Sequence, residues 1–309
     1  MRVFRTVPAL LLAAVMLCGC GEGTPPPEET APAETAAAPA ETAAPASETV
    51  TEAQAETEPV TEADPPVIYY ITDHGTVDPS AISLAAEVLT GEDGIYLTGA
   101  AADVPEDAKA VILNAPQEDI TSEELKALDV CIEGGCTVVL LLPANGEELR
   151  LKYIERLTEE FSVQTDYDLV TDETRTEGEG LISLDQIGPP EGMNAALFAA
   201  SAQCMNNVRS FHFVRFDGFD NIRQDALLEC TADSVGTPFG GVQDDPETFT
   251  DECLVTMLYA RDVTRQNGAL IAAGSSDFLL DVNAETAAYQ GTRAWLLAAV
   301  QWMMQGNFY

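Results

Sequence analysis

The segment TSEELKALDVCIEGGCTVVLLL, residues 121–142, spells out a helix, its stop and a buried strand. Thr121 and Glu124 stand at capping-box spacing, in which each side chain accepts from the other residue's backbone N–H. Leu125, Leu128 and Ile132 then recur at i, i+3 and i+7, one face of an amphipathic helix. Gly134 is expected to supply the left-handed stop. The aliphatic run that follows Thr137, ending at Leu142, lacks polar alternation and so predicts a strand covered by helices on both sides.

Cys131 and Cys136 flank that corner, which raises the question of a metal or thiol centre. In open α/β sheets ligands collect at the carboxyl ends of strands, whereas Cys136 enters its strand at the amino end. Zinc needs four donors, yet the chain has two histidines and no second paired-cysteine motif. The pair is therefore expected to be structural, reduced or bridged, and no metal site or cofactor is expected. Cys204, Cys230 and Cys253 complete an odd count in the body, which rules out a full set of internal disulfides.

The same alternation extends on either side. Val67–Ile71, Ile95–Leu97 and Ala110–Leu113 read as short strands, and Pro79–Leu89 and Glu147–Phe161 as helices with apolar residues on one face. Alternating strands and helices imply an α/β body with a mostly parallel, Rossmann-like sheet covered by helices. Residues 171–252 are less regular, with Ser210–Phe216 and Leu227–Thr231 as candidate strands of an added sheet and Gly236–Glu252 as a loop. Order returns with strands at Cys253–Tyr259 and Gly268–Ala273 and a closing helix at Thr292–Met304. That helix is too short to span a bilayer, which takes about 20 apolar residues.

The first 66 residues read differently. Arg2 and Arg5 precede an apolar stretch from Val7 to Gly19, too short for a membrane span and typical of a secretory signal. Its ending, Leu17-Cys18-Gly19-Cys20, resembles a bacterial lipobox, which implies that Cys20 is lipidated and becomes the first residue of the mature protein. Residues 1–20 are thus a lipoprotein signal, and residues 21–66 form an acidic Pro/Ala/Thr/Glu tether with no Lys or Arg. Such a segment buries too little to offset its ordering entropy, and as a flexible coil it spans about 40 Å. The body follows at 67–309.

The formal charge is −38. Eleven of the 52 acidic residues lie in the tether and two of the 14 basic ones in the leader, leaving 41 acids and 12 bases in the body. Nucleic-acid binding rests on Lys and Arg neutralising phosphates, so it is not expected, nor is a basic face for anionic lipid.

Polar candidates cluster at strand ends. Asp73 and His74 follow the first strand, and Ser275, Ser276 and Asp277 follow Gly268–Ala273; both ends are carboxyl ends, so the five residues are expected to line one crevice. Ser, His and Asp in one cleft suit a hydrolase, but Gly274-Ser275-Ser276-Asp277 lacks the Gly-x-Ser-x-Gly elbow. Asp277 fits a helix cap equally well. His212 reads as a strand residue with one satisfied nitrogen. Asp244, Asp245, Glu247, Asp251 and Glu252 lack EF-hand spacing and read as a solvated acidic loop.

Asp119–Asp129, the Ile132-Glu133-Gly134-Gly135 turn and Val138–Leu142 resemble the acidic helix, Gly-Gly and aliphatic strand of GldG-like proteins. Ala110–Leu113 before them and Tyr153–Val170 after them keep the same order. Gly274–Leu279 is similar to the family's Gly-Asp-Ser-Asp-Phe motif, with Ser275 in place of Asp, and Arg293–Met303 to its closing helix. These proteins are auxiliary, extracytoplasmic parts of ABC-type transport systems. The resemblance implies a class I glutamine-amidotransferase-like fold without the catalytic cysteine, no enzymatic role, and an ABC permease and ATPase as partners. Family members usually carry membrane helices around this domain, where this chain has a lipobox and tether. The expected function is a lipid-anchored, non-catalytic accessory or ligand-sensing domain on the extracytoplasmic face of the cell membrane. The alternatives are a free-standing solute-binding lipoprotein and a cell-envelope hydrolase.

Overall fold

The computed structural model describes residues 65–144, 150–172, 181–186, 203–214, 221–230, 233–239, 254–264 and 268–305, with backbone alone for 181–186 and Gln203. The Cys20 lipobox, the tether to residue 64, the acidic loop around Asp244 and Cys253 lie outside the described residues.

In chain order the elements are β1 (Val67–Ile71), α1 (Ser83–Thr90), β2 (Ile95–Gly99), β3 (Ala110–Asn114), α2 (Ser122–Glu133), β4 (Thr137–Leu141), α3 (Lys152–Glu160), β5 (Val163–Thr165) and β6 (Asp168–Thr171). They continue with β7 (Leu181–Gln186), β8 (Gln203–Asn206), β9 (Phe211–Phe213), β10 (Ile222–Glu229), β11 (Val235–Pro238), β12 (Val255–Asp262), β13 (Ala269–Ala273) and α4 (Ala287–Met304). Pro79 starts a 3₁₀ turn, Pro79–Ile82, so the helix expected from Pro79 divides into that turn and α1. The helix expected from Glu147 begins at Lys152.

One sheet runs β2-β1-β3-β4-β13-β12-β10-β7-β8. Its first five strands are parallel. From β13 onward the neighbours are antiparallel, with β9 joining β12 and β5. The strands between residues 171 and 252 that join it therefore extend the main sheet instead of building a second one. Among the described residues only β6 and β11 stand apart, as an antiparallel pair. The fold is α/β with a mixed sheet whose parallel half matches the alternation of strands and helices in the sequence.

Side-chain alternation divides the core into two layers. Ile68, Tyr70, Ala110, Ile112, Val139 and Leu141 face α1 and α4, where Trp295 is buried. Tyr69, Ile71, Val111, Leu113, Val138 and Leu140 face α2 and α3. β3 and β4 are buried throughout, the burial that their unbroken apolar runs required. Burying each such side chain contributes about 1.5–3 kcal/mol. The Trp295 indole N–H donates to the Leu227 carbonyl at 2.9 Å, so its polar edge is not left bare.

Helix starts are tied down by distant carboxylates as well as local ones. The capping box of α2 is complete: Glu124 N–H donates to Thr121, and Thr121 N–H to the Glu124 carboxylate. Asp119 accepts from the first N–H groups of α3, at Tyr153 and Ile154. Asp281 does the same for α1 through Leu84 N–H and the Ser83 hydroxyl. At the other end of α2 the expectation needs a correction of one residue. Gly134 closes the helix in right-handed geometry, φ −74°, and the left-handed residue is Gly135, φ +94°. A side chain is strained in that conformation.

Candidate functional site

Connections in the parallel half move from β1 outward to β2, then return to β3 on the other side of β1. The order 2-1-3-4 followed by β13 is that of a doubly wound sheet with its reversal between β1 and β3. At such a point the loops leaving the two strands diverge and open a crevice at their carboxyl ends. Asp73, His74 and Gly75 form the exit from β1, and residues 115–120 the exit from β3. The two loops are joined at His74, whose carbonyl accepts from the Gln117 and Glu118 N–H groups at 2.7 and 3.0 Å. His74 holds φ +61°, a left-handed value seldom adopted by non-glycine residues, and Gly75 follows at φ +67°.

Here three ionisable side chains meet. The Nε2 of His74 lies 3.5 Å from Asp73 Oδ1 and 3.2 Å from Glu124 Oε2. Nε2 is buried and makes no well-formed hydrogen bond to either carboxylate. Both carboxylates are fixed from behind. Asp73 accepts from Ala101 N–H at 3.1 and 3.2 Å. Glu124 Oε2 accepts from Thr121 N–H at 2.6 Å. Burial pushes the Glu124 carboxyl up, but the Thr121 bonds and the nearby His74 outweigh it and hold it below the usual range.

Ser275, Ser276 and Asp277 are not in this crevice. Between β1 and β13 stand β3 and β4, so three inter-strand spacings, about 14 Å, separate the strands that carry the two groups. The carboxyl end of β13 is instead filled by residues 206–210. Arg209 N–H donates to the Gly274 carbonyl at 2.9 Å, and Ala144 N–H to the Asn207 carbonyl at 2.8 Å. Ser275 is fully buried and its hydroxyl donates to the Asn206 carbonyl at 2.6 Å. Ser276 is buried too, at the head of a 3₁₀ turn, Asp277–Leu279, without capping it through its side chain. Asp277 is inside that turn, not its cap, and accepts from the Asn206 amide at 3.3 Å.

A second polar cluster went unread in the sequence. Asp166, Asp168 and Arg209 are almost fully buried and Ser210 is completely so. The Ser210 hydroxyl lies 2.7 Å from Asp168 Oδ2 and 3.1 Å from Asp166 Oδ2, and Ser210 N–H donates to Asp168 Oδ1 at 2.9 Å. His212 Nδ1 pairs with Asp166 Oδ1 at 2.8 Å, the satisfied nitrogen expected of it. Burial raises the Asp168 carboxyl to about 6, with Asp166 adding to the shift and Ser210 and Arg209 opposing it. The Arg209 guanidinium stacks 5.1 Å from the Tyr167 ring centre. Ser, His and Asp meet here, but the hydroxyl bonds the two carboxylates and His212 pairs with Asp166, so the order of contacts is not that of a Ser-His-Asp triad.

No family model matches the sequence, and no curated protein matches it. Among solved structures, the "mmIFT52 N-terminal domain" aligns with 79% of this chain and 99% of its own, at 15% identity and a TM-score of 0.56. A ThuA-like protein from Bacteroides uniformis aligns over 80% and 95% at 10% identity, TM-score 0.42. Another from Parabacteroides merdae aligns over 78% and 89% at 12% identity, TM-score 0.39. The first likeness shows a shared α/β fold.

The opening cysteines are answered by their surroundings. Cys131 and Cys136 are buried and unbridged, as are Cys204 and Cys230. Burial and the neighbouring Cys131 thiol push Cys136 well up, away from the reactive thiolate. They sit at the amino end of β4, opposite the crevice.

The far edge of the sheet is more open. Ile95 and Leu97 on β2 and Leu84 and Val88 on α1 are each 40–46% exposed. A concavity of about 560 Å³ lies between α1 and β2, lined by Pro79, Ser83, Glu87, Thr90 and Tyr96 among others. Among the described residues no helix is long and apolar enough to cross a membrane.

Proposed function

We propose that this chain is a membrane-tethered, extracytoplasmic lipoprotein whose body serves as a non-catalytic accessory or ligand-sensing component of an ABC-type transport assembly. The observation that carries the non-catalytic reading is the filled carboxyl end of β13. Arg209 and Asn206 occupy the place where Ser275 and Ser276 would have to meet a substrate. A ligand at the β1–β3 reversal would meet an imidazole and two carboxylates.

The membrane part of the proposal is supported by the sequence alone, through Arg2, Arg5, the apolar stretch and Cys20. The GldG-like assignment and the glutamine-amidotransferase-like ancestry belong to the same proposal, supported by the order of the motifs and by the 2-1-3-4 winding. The exposed apolar residues on β2 and α1 suit contact with a permease, since β2 ends the sheet among the described residues and a strand edge offers both hydrogen-bonding groups and apolar surface. Neither nucleic acid nor a cofactor enters this reading.

The test is crosslinking of the tagged chain in cells, followed by mass spectrometry of detergent-solubilised membranes. Co-recovery of an ABC permease and its ATPase is the expected result. Recovery from membranes without either subunit would overturn the accessory role, and recovery in the soluble fraction would overturn the anchor.

A further inference from the structure

From the geometry at the sheet's reversal point we infer that Asp73, His74 and Glu124 form a divalent metal site, with zinc the best-matched ion. The inference goes beyond the accessory role and does not depend on it.

The distances carry the argument. An imidazole N–H bonded to a carboxylate oxygen lies about 2.9 Å from it and points at it. The Nε2 of His74 lies farther than that from both, 3.2 Å from Glu124 and 3.5 Å from Asp73, and is buried without a well-formed hydrogen bond. Donors sharing one ion behave differently. Bonds of about 2.1 Å at tetrahedral to octahedral angles hold neighbouring donor atoms about 3.0 to 3.4 Å apart, and each donor points at the ion instead of its neighbour. All three donor atoms here lie within 4.8 Å of one another.

Charge and outer bonding agree with this. Two carboxylates and a neutral imidazole sum to the charge that a divalent cation cancels, and one nitrogen with two oxygens is a donor set that zinc accepts. Each carboxylate is already oriented by a backbone N–H, Asp73 by Ala101 and Glu124 by Thr121, the kind of support that ligating groups need. The backbone that carries the imidazole is fixed too, since the His74 carbonyl accepts from the Gln117 and Glu118 N–H groups. Three protein donors leave coordination positions open. The Asp73 side chain is 36% exposed, so solvent reaches the group on that side, and water or a group from a second molecule would complete the shell.

The site escaped the sequence because Glu124 is 50 residues from His74 and already had a role in a capping box. One carboxylate serves both purposes, with Oε2 accepting from Thr121 N–H while facing the imidazole.

The test is calorimetric titration of the full chain with ZnCl2, beside His74→Asn and Asp73→Asn variants and with Co2+ as a spectroscopic substitute. Asparagine suits position 74 because it tolerates left-handed backbone. The acidic tether gives every variant the same weak background. The expected result is one zinc equivalent above that background, weakened at least about tenfold in each variant. A visible Co2+ ligand-field band should accompany it and be lost in both variants, while their circular dichroism stays that of the parent. Equal zinc binding in parent and variants would overturn the site, as would the absence of any equivalent above background.

Discussion

The hydroxyl of Ser210 is 2.7 Å from Asp168 and 3.1 Å from Asp166, and it has one proton to offer. Both contacts become hydrogen bonds when one of the carboxyls is protonated, and Asp168, lifted by burial to about 6, is the one that takes the proton. The cluster is thus complete on the acid side of neutrality and one donor short above it.

The sign of the pH effect follows. A carboxyl whose folded value, about 6, exceeds its unfolded value, 3.8, binds its proton more tightly when folded. Its contribution is full below about pH 4 and is lost as pH rises through 6. Asp168→Asn imitates the protonated form and should stabilise the chain by about 1 to 3 kcal/mol at pH 7.5, with the advantage falling to about a third of that at pH 4.5. Thermal melts of parent and variant at both pH values measure it. A difference that does not change with pH would sink the assignment.

Gly274 has no room for a side chain. A Cβ there would sit inside contact distance of the Arg209 carbonyl oxygen, which cannot retreat because Arg209 N–H bonds the Gly274 carbonyl. Gly274→Ala should cost about 3 kcal/mol or more, the upper end for overpacking, read as a fall in urea midpoint. An unchanged midpoint would mean that residues 206–210 do not lie on β13 as described.

Asp119 caps α3 from a distance of 34 residues in the chain. Asp119→Ala should cost about 1 to 2 kcal/mol, as loss of a helix cap does, and lower the melting temperature by about 2 to 4 °C per kcal/mol. Asp119→Asn, which still accepts a hydrogen bond, should recover most of the loss. If alanine and asparagine behave alike, the cap is not what holds the helix.

Cys131, Cys136, Cys204 and Cys230 are buried and unbridged. A thiol-directed disulfide reagent should leave them unmodified in the folded protein at pH 8 and titrate them after denaturation. Rapid modification of Cys136 in the native state would revive the thiol centre.

What the sequence disclosed was whatever its chemistry settles within one element or its neighbour. The Thr121–Glu124 box, the buried run of β4 and the strand-helix alternation depend on residues a few positions apart, and they stand as read apart from the one-residue shift at Gly135 and the later starts of α1 and α3. The partners of the polar groups were out of reach. Asp166 and Asp168 meet Ser210 across more than 40 residues, and nothing about a run such as TDYD distinguishes it from a solvated loop. Ser275 looked like a site residue because it follows a strand at the right end. The segment that buries it, around Asn206, comes from a region with little periodicity. The position of β13 beside β4, and so the distance between His74 and Ser275, rests on pairing that no local pattern encodes.

That pairing has a consequence for how the chain comes to be folded. β13 lies between β4 and β12, yet residues 142–268 are synthesised between β4 and β13. Until about the last eighth of the chain emerges, β4 has an unsatisfied edge at what will be the middle of the sheet, and α1 lacks the Asp281 carboxylate that starts it. Through that interval β4 is open to pairing with other strands. Shortening this protein from its carboxyl end would therefore remove the centre of its sheet, and the partial product would aggregate long before it resembled a smaller version of the domain.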